Sequence, residues 1–423
     1  MILSSEIKIK IKKEHFPNLI YEFYKHSCDI HRLDLIDSED REDIYLIETV
    51  YSSRKNYISL IDILKKNTGK YNILEQKNSI EEKIKGGLME IKSRNPVENT
   101  NDYNMSILGA VELIKEKINA GRGAEYCSVS NNAAVISCAN LSEDVKHEDL
   151  LKLYTETEKD ALTLSAFTGL NGVPLLLNFS NSDDIIKTIT RIEKTFSLIR
   201  MVKSGVEDYL IADQIADSIS IPFLSRDYDE VPLYLLAAAI LIVKKYELNP
   251  ADTAAGFIGV NSTSLRCSKL FNKTGFFKVL GHDNNDRMMM EFEKYGGLAT
   301  SNENILLNSD IVFIIKNNLE EINLSRIRPG QFVILFENYN SENLKIIKER
   351  GAREIIKLDY NSINHIHPGV TEGILKSKKL RMSDQTLVYT AKKLSMLMNI
   401  NFSLPDLFSS IHEKIAAAIC ETH

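Results

Sequence analysis

The stretch Ala254-Ala-Gly-Phe-Ile-Gly259-Val-Asn261-Ser-Thr-Ser264-Leu-Arg-Cys-Ser-Lys-Leu-Phe-Asn-Lys273 decides how the C-terminal half of the chain is read. Ala254 to Gly259 is an unbroken small and apolar run, the pattern of a strand covered on both faces. A glycine turn follows, then a helix over Ser264 to Lys273. Phe277 to Gly281 reads as a second strand, ending at His282-Asp283. Ile311 to Ile315 and Gln331 to Phe336 supply further strands. Strand, glycine turn, helix, strand is a Rossmann-like order.

The turn itself departs from a nucleotide loop. In a Gly-x-Gly-x-x-Gly loop the first glycine makes the turn. The second lets the backbone approach a pyrophosphate, and the third lets helix and strand pack closely. Here Gly259 keeps the first place, and Asn261 and Ser264 occupy the other two. Asn and Ser are good helix N-caps, so the favoured reading is a capped helix without a nucleotide. The alternative is a cofactor loop of Gly259, Asn261 and Ser264, with Asp283 placed to bind an adenosine ribose.

Working outward, strands at Ala133 to Ser137 and Val173 to Asn178 alternate with helices such as Asp183 to Phe196, which implies a second α/β sheet. Val231 to Val243 is too short to span a bilayer and reads as a buried helix. The first ~80 residues have their own pattern. Ile7, Ile9 and Ile11 alternate with lysines as in a half-exposed strand. Phe16 to His26 is an amphipathic helix, and Asp29 to Leu35 and Ile44 to Val50 are strands. Ser53 to Lys66 is a second helix, and Tyr71 to Gln76 a last strand. The order βαββαβ is ferredoxin-like.

With 423 residues, two or three domains are expected. A net charge of −6 gives no reason to expect nucleic acid or an anionic membrane as partner. The five cysteines are scattered without a CxxC pair, as reduced thiols in a cytosol would be. The N-terminus shows no signal peptide, so a cytoplasmic location is expected.

Near the C-terminus the chain reads His367-Pro-Gly-Val-Thr-Glu-Gly-Ile-Leu375, taken as a tight turn opening onto an apolar run. It resembles the Phe-Pro-Gly-Ile-Phe-Arg-Gly-Ala-Leu loop of bacterial malic enzymes. Pro174-Leu-Leu-Leu-Asn-Phe-Ser-Asn-Ser-Asp-Asp-Ile185 and Met89-Glu-Ile-Lys-Ser-Arg-Asn-Pro96 resemble two further segments of that family, in the same order. Cys28 to Ile36 is similar to a run in members with an N-terminal ACT domain, a regulatory module that often binds amino acids. The resemblance implies an ACT-like domain over 1–80, a malic-enzyme N-terminal-like domain over 86–248 and a NAD-binding-type domain over 249–423. It also implies a homodimer, NAD or NADP, Mg²⁺ or Mn²⁺, and an effector loop at Pro17-Asn18.

Residue by residue, the matching motifs depart from the family. Oxidising malate and decarboxylating the product needs a divalent metal on hard oxygen ligands, with a lysine and a tyrosine passing protons. Asp160 stands at the lysine and Ser106 at the tyrosine. Tyr103 is nearby but out of register and is expected to pack. Val202 and Lys203 stand at the Glu-Asp metal pair, although a shortened helix would bring Glu207-Asp208 into register. Asp227 matches the third metal carboxylate, and Arg226 replaces its neighbour. Asp229 and Glu230 are expected to be solvated, and His365 and His367 to be exposed loop histidines rather than a metal pair. The expected function is therefore a malic-enzyme-like protein with impaired or lost catalysis and a regulatory or structural role. The alternatives are an active NAD(P)-dependent oxidoreductase, on malate or a related 2-hydroxy acid, and an amino-acid sensor acting through the ACT-like domain.

Overall fold

The computed structural model describes residues 3–77, 87–90, 98–140, 146–205, 211–276, 278–315, 322–336 and 339–422. The Glu207-Asp208 pair lies outside the described residues, as does most of the Met89 to Pro96 match. The chain divides into two compact units, Met1–Lys92 and Ser93–His423.

The first unit runs β1 (Leu3–Lys12), α1 (Phe16–Lys25), β2 (Cys28–Ser38), β3 (Glu42–Tyr51), α2 (Arg54–Lys66) and β4 (Tyr71–Lys77). The strands pair antiparallel in the order β2-β3-β1-β4, so the βαββαβ order closes into a ferredoxin-like sheet. The alternation in β1 does what its period of two dictates. Ile7, Ile9 and Ile11 are buried against Leu19, Phe23, Leu60 and Leu64, and the lysines between them face outward. Pro17 sits in the first turn of α1, where its missing N–H costs nothing. Asn18 follows it in the helix and is not left-handed, so the turn expected there is helical.

In the second unit, α3 (Ala110–Asn119) precedes a parallel sheet built from β5 (Asn132–Asn140), α4 (His147–Thr168), β6 (Asn171–Phe179), α5 (Ser182–Ile192), β7 (Leu198–Lys203), α6 (Ile211–Ser218) and β8 (Phe223–Ser225). Its strand order is β6-β5-β7-β8. A five-residue π-helical turn, Arg226–Glu230, leads into α7 (Val231–Lys245), which is buried along almost its whole length.

The second sheet follows, through β9 (Ala254–Ile258), α8 (Ser262–Lys273), β10 (Lys278–His282), α9 (Asp286–Lys294), β11 (Leu298–Ala299), α10 (Asn302–Asn308), β12 (Ile311–Ile314), β13 (Phe332–Phe336), α11 (Ser341–Glu349) and β14 (Glu354–Leu358). The order β11-β10-β9-β12-β13-β14, all parallel, is the doubly wound Rossmann order, with β9 beside the point where strand direction of winding reverses. The chain ends with α12 (His367–Ser377), α13 (Asp384–Leu397) and α14 (Ile411–Cys420). No helix among the described residues is long and apolar enough to cross a membrane.

The His367 segment is no turn. His367 to Leu375 is most of α12, with Pro368 in its first turn. Its two glycines lie on one helix face and allow close contact with α14. A Cβ on Gly369 would stand 2.7 Å from the His412 carbonyl oxygen, and one on Gly373 would stand 2.8 Å from Cβ of Ile419.

The centre of the Rossmann sheet carries a similar constraint. A Cβ on Gly256, in β9, would lie 2.2 Å from the Ser309 hydroxyl and 2.5 Å from a methyl of Ile305. Gly256→Ala should therefore destabilise the protein by about 1–3 kcal/mol through overpacking. The check is a lower urea midpoint, and an unchanged midpoint would contradict this packing.

Candidate active site

Strand β7 turns Ile199 and Met201 into the apolar core shared with α5 and α6. By the alternation of a strand, Arg200 and Val202 face the other way. Arg200 is completely buried. Its Nε and Nη2 donate to Glu230 at 3.2 and 2.6 Å, and its Nη1 donates to Asp160 at 2.6 Å. The π-helical turn delivers Glu230, 0% exposed, and α4 delivers Asp160, 2% exposed. The pairing with Glu230 is the bidentate fork that suits a guanidinium.

Burial drives each of these groups toward its neutral form, and the partner charges decide the result. For Asp160, burial works upward, but Arg200 outweighs it and holds the carboxyl below its ordinary range. For Glu230, burial prevails over Arg200, and its pKa is raised. Arg200 itself is held protonated by its two carboxylates against the cost of burial. His367, fully buried, is pushed well below its ordinary value by burial and by Arg200, so its ring is neutral. Neither of its ring nitrogens has a hydrogen-bond partner among the described residues.

The π-helical turn supplies a second tier. Arg226 lies 4.0 Å over the Tyr360 ring and reaches Asp227 at 3.3 Å. The Asp227 carbonyl accepts from the Thr263 hydroxyl at 2.7 Å, which joins the turn to α8. Tyr228 donates to Asp213 at 2.6 Å. Asp229 accepts from the Ser225 backbone N–H at 2.8 Å and is buried. Burial pushes its pKa up to about 7. Asp229 and Glu230 are thus interior groups, not the solvated pair their charge run suggests. His367 likewise is interior, as the first residue of α12.

The Rossmann turn is closed on itself. Gly259 has φ of +96°, which only glycine adopts easily. Asn261 caps α8, its side chain accepting from the Ser264 backbone at 3.2 Å. The Ser264 hydroxyl accepts from the Asn261 backbone at 2.7 Å. Asp283 accepts from the backbone N–H of Val260 at 3.2 Å and of Asn285 at 3.0 Å. The N–H groups of Asn261 and Ser264 and the carboxylate of Asp283 are thus paired with the chain itself.

The remaining sequence-predicted residues are dispersed. Ser106 sits in a π-helical segment, Asn104–Gly109, none of whose residues is buried. Tyr103 is 46% exposed and does not pack. Lys159 points away from Asp160, to Glu156 at 2.9 Å and Asn361 at 3.4 Å. Val202 is buried and Lys203 exposed. No three His, Cys, Asp or Glu side chains among the described residues converge as a metal requires. All five cysteines are free. Arg200 is the residue that motif reading misses. The one available signal is a charged residue inside an otherwise apolar strand pattern.

The chain can now be set beside known proteins. No family model matches it. NAD-dependent malic enzyme 1 of Bacillus subtilis is 24% identical over 344 residues, 79% of this chain and 77% of that protein. An NAD-dependent malic enzyme of Geobacillus stearothermophilus is 19% identical over 446 residues, 98% of this chain and 93% of that one. Among solved structures, the Entamoeba histolytica malic enzyme superposes with a TM-score of 0.68 at 17% identity, over 81% of this chain and 79% of that one. NAD-dependent malic enzyme of Thermotoga maritima gives 0.67 at 15% identity, over 81% of this chain and 99% of that one. In sequence the chain is similar, at low identity, to bacterial malic enzymes, and it shares the malic enzyme fold.

Two outcomes follow from the buried charges. Removing one partner of a buried ion network strands the others, so Arg200→Met should cost about 3–5 kcal/mol. Replacing Asp160 and Glu230 by leucine in the same variant should recover most of that loss, because a repacked apolar core needs no pairing. Urea unfolding of both variants decides the point, and no recovery in the triple variant would contradict it. Asp229 should shape the pH dependence. Its folded pKa, about 7, lies above the ordinary 3.8, so the folded state holds the extra proton between those values. Its contribution to stability should fall as pH rises from about 4 to 7 and level off above. Asp229→Asn should flatten that slope in thermal melts taken across the window.

Proposed function

We propose that this protein is a malic-enzyme-like scaffold whose catalytic centre is silent, kept for a regulatory or structural role as a cytoplasmic homodimer. The observation that carries the reading is the Arg200 network. Where malic enzymes present a lysine, this chain presents Asp160, and Arg200 holds that carboxylate in the interior. At the positions matching the family's Glu-Asp metal pair stand buried Val202 and exposed Lys203. A valine offers no donor atom, and an ammonium repels a divalent cation. Among the described residues Asp227 is left as a single candidate carboxylate, already paired with Arg226. The donor set among the described residues does not suit Mg²⁺ or Mn²⁺.

The nicotinamide cofactor fares no better. A dinucleotide needs free backbone donors at the start of α8 and a free acid at the end of β10. Asn261 and Ser264 engage two of the donors there, their own N–H groups, in a reciprocal cap, and Asp283 is turned onto the loop backbone. The Asn261 side chain stands where a second glycine would let the backbone approach a pyrophosphate, so the residues present do not fit that group. No catalytic step is therefore derived through either group.

The direct test is a spectrophotometric assay of the purified chain with malate, Mn²⁺ and either NAD or NADP, alongside titration of NADH fluorescence. The expected result is no turnover above background and no fluorescence enhancement. Turnover in the ordinary range of about 1–10³ s⁻¹ would overturn the proposal.

A further inference from the structure

The first unit contains a cleft that the Pro17-Asn18 reading does not use. It lies at the opposite end of β1, where Leu3 and Ser5 meet Tyr51 of β3, Arg54, Tyr57 and Ile58 at the start of α2, and Gln76 and Lys77 of β4. Its volume is about 420 Å³, within the span of small-molecule sites. We propose that this cleft binds a small carboxylate that carries an aromatic group and lacks an ammonium group.

The polar lining is the first argument. Ser5, Tyr51 and Tyr57 are buried, yet all three border the cleft. The Ser5 and Tyr51 hydroxyls lie 3.0 Å apart, and the Gln76 amide donates to the Tyr57 hydroxyl at 3.0 Å. These bonds hold the hydroxyls in place, and each retains further hydrogen-bonding capacity. Beside them stands Arg54, exposed and without an ion-pair partner among the described residues. A guanidinium fork next to positioned hydroxyls suits a carboxylate. Lys77 adds positive charge at the rim, although it also meets Glu75 at 2.7 Å.

The apolar lining gives the rest of the ligand. Tyr51 and Tyr57 stack with ring centroids 4.2 Å apart and planes 4° from parallel, which makes a rigid aromatic wall. Leu3 and Ile58 complete it, and Ile58 is 50% exposed. A flat apolar group on the carboxylate would cover that surface.

The charge balance excludes one obvious ligand class. Among the described lining residues none is an acid, so an amino acid's ammonium would meet the guanidinium of Arg54 with no lining carboxylate beside it, while Lys77 at the rim is offset by Glu75. Like charges brought together out of bulk water are repelled more strongly than in it. An amino-less carboxylate escapes that penalty. The inference goes beyond the silent-centre reading and is independent of it, since every residue involved belongs to the first unit.

Hydrocinnamate and phenylalanine differ only by the ammonium group, so calorimetric titration of the full-length protein with each is the test. Hydrocinnamate should bind, at least ~10-fold tighter than phenylalanine or inorganic phosphate. Arg54→Gln, an exposed position that leaves the fold intact, should weaken hydrocinnamate at least ~10-fold. Tyr57→Phe keeps the stacked wall and should weaken it less. Three results would overturn the proposal: no hydrocinnamate binding at millimolar concentration, phenylalanine or phosphate binding equally well, or an Arg54→Gln variant that binds unchanged. The malate assay is indifferent to all three, so this proposal and the silent-centre reading fail separately.

Discussion

A guanidinium with no water around it organises the second unit. Arg200 lies in a parallel strand between Leu198, Ile199, Met201 and Val202, all apolar and buried. The cost of taking that charge out of water is several kcal/mol or more and can be met only by close, well-aligned partners. Two separate pieces of chain provide them, α4 through Asp160 and the turn before α7 through Glu230. Neither carboxylate can move off without leaving a bare charge inside the protein. The strand, the helix and the turn are thereby held in one arrangement, and the π-helical form of the turn places Glu230 where it reaches back. The dry interior also sets the state of the neighbours: burial, helped by Arg200, keeps His367 neutral, and burial drives Asp229 toward its protonated form.

How much of this could be read locally depends on where the partner of each residue lies. The alternation of Ile7, Ile9 and Ile11, the small apolar run into Gly259 and the apolar stretch from Val231 are short-range signals, and all became the expected elements. The helix cap of Asn261 and Ser264 was legible for the same reason, since donor and acceptor are three residues apart. The charged run Arg226 to Glu230 misleads, because five polar residues in succession ordinarily mean a solvated face. Glu230 is interior only because Arg200, thirty residues earlier, is interior too. Asp160 is forty residues from the same guanidinium. Pairings at that range leave no periodic trace.

The Pro-Gly segment fails differently. Proline and glycine together suggest a turn, yet proline is equally at home in the first turn of a helix. Glycine in a helix costs about 1 kcal/mol against alanine, and α12 carries two on one face. What offsets that cost is the approach of α14, which any Cβ would block. The likeness to malic enzymes at this segment is therefore a likeness in helix packing. It can persist without regard to what the neighbouring side chains catalyse.

The same logic bears on movement between the two sheets of the second unit. A working oxidoreductase closes around its substrate and opens to release product, so contacts between its moving parts have to be weak enough to break. Here the turn after β8 is tied to α8 by the bond from Thr263 to the Asp227 carbonyl. Arg266 of α8 lies 4.7 Å over the Tyr228 ring and also pairs with Asp384 of α13 at 2.5 Å. Both of the latter groups are largely buried, so opening would expose a desolvated ion pair and a cation–π contact together. These ties favour a single fixed arrangement, which is of use to a scaffold presenting a constant surface and a hindrance to a catalyst that must cycle.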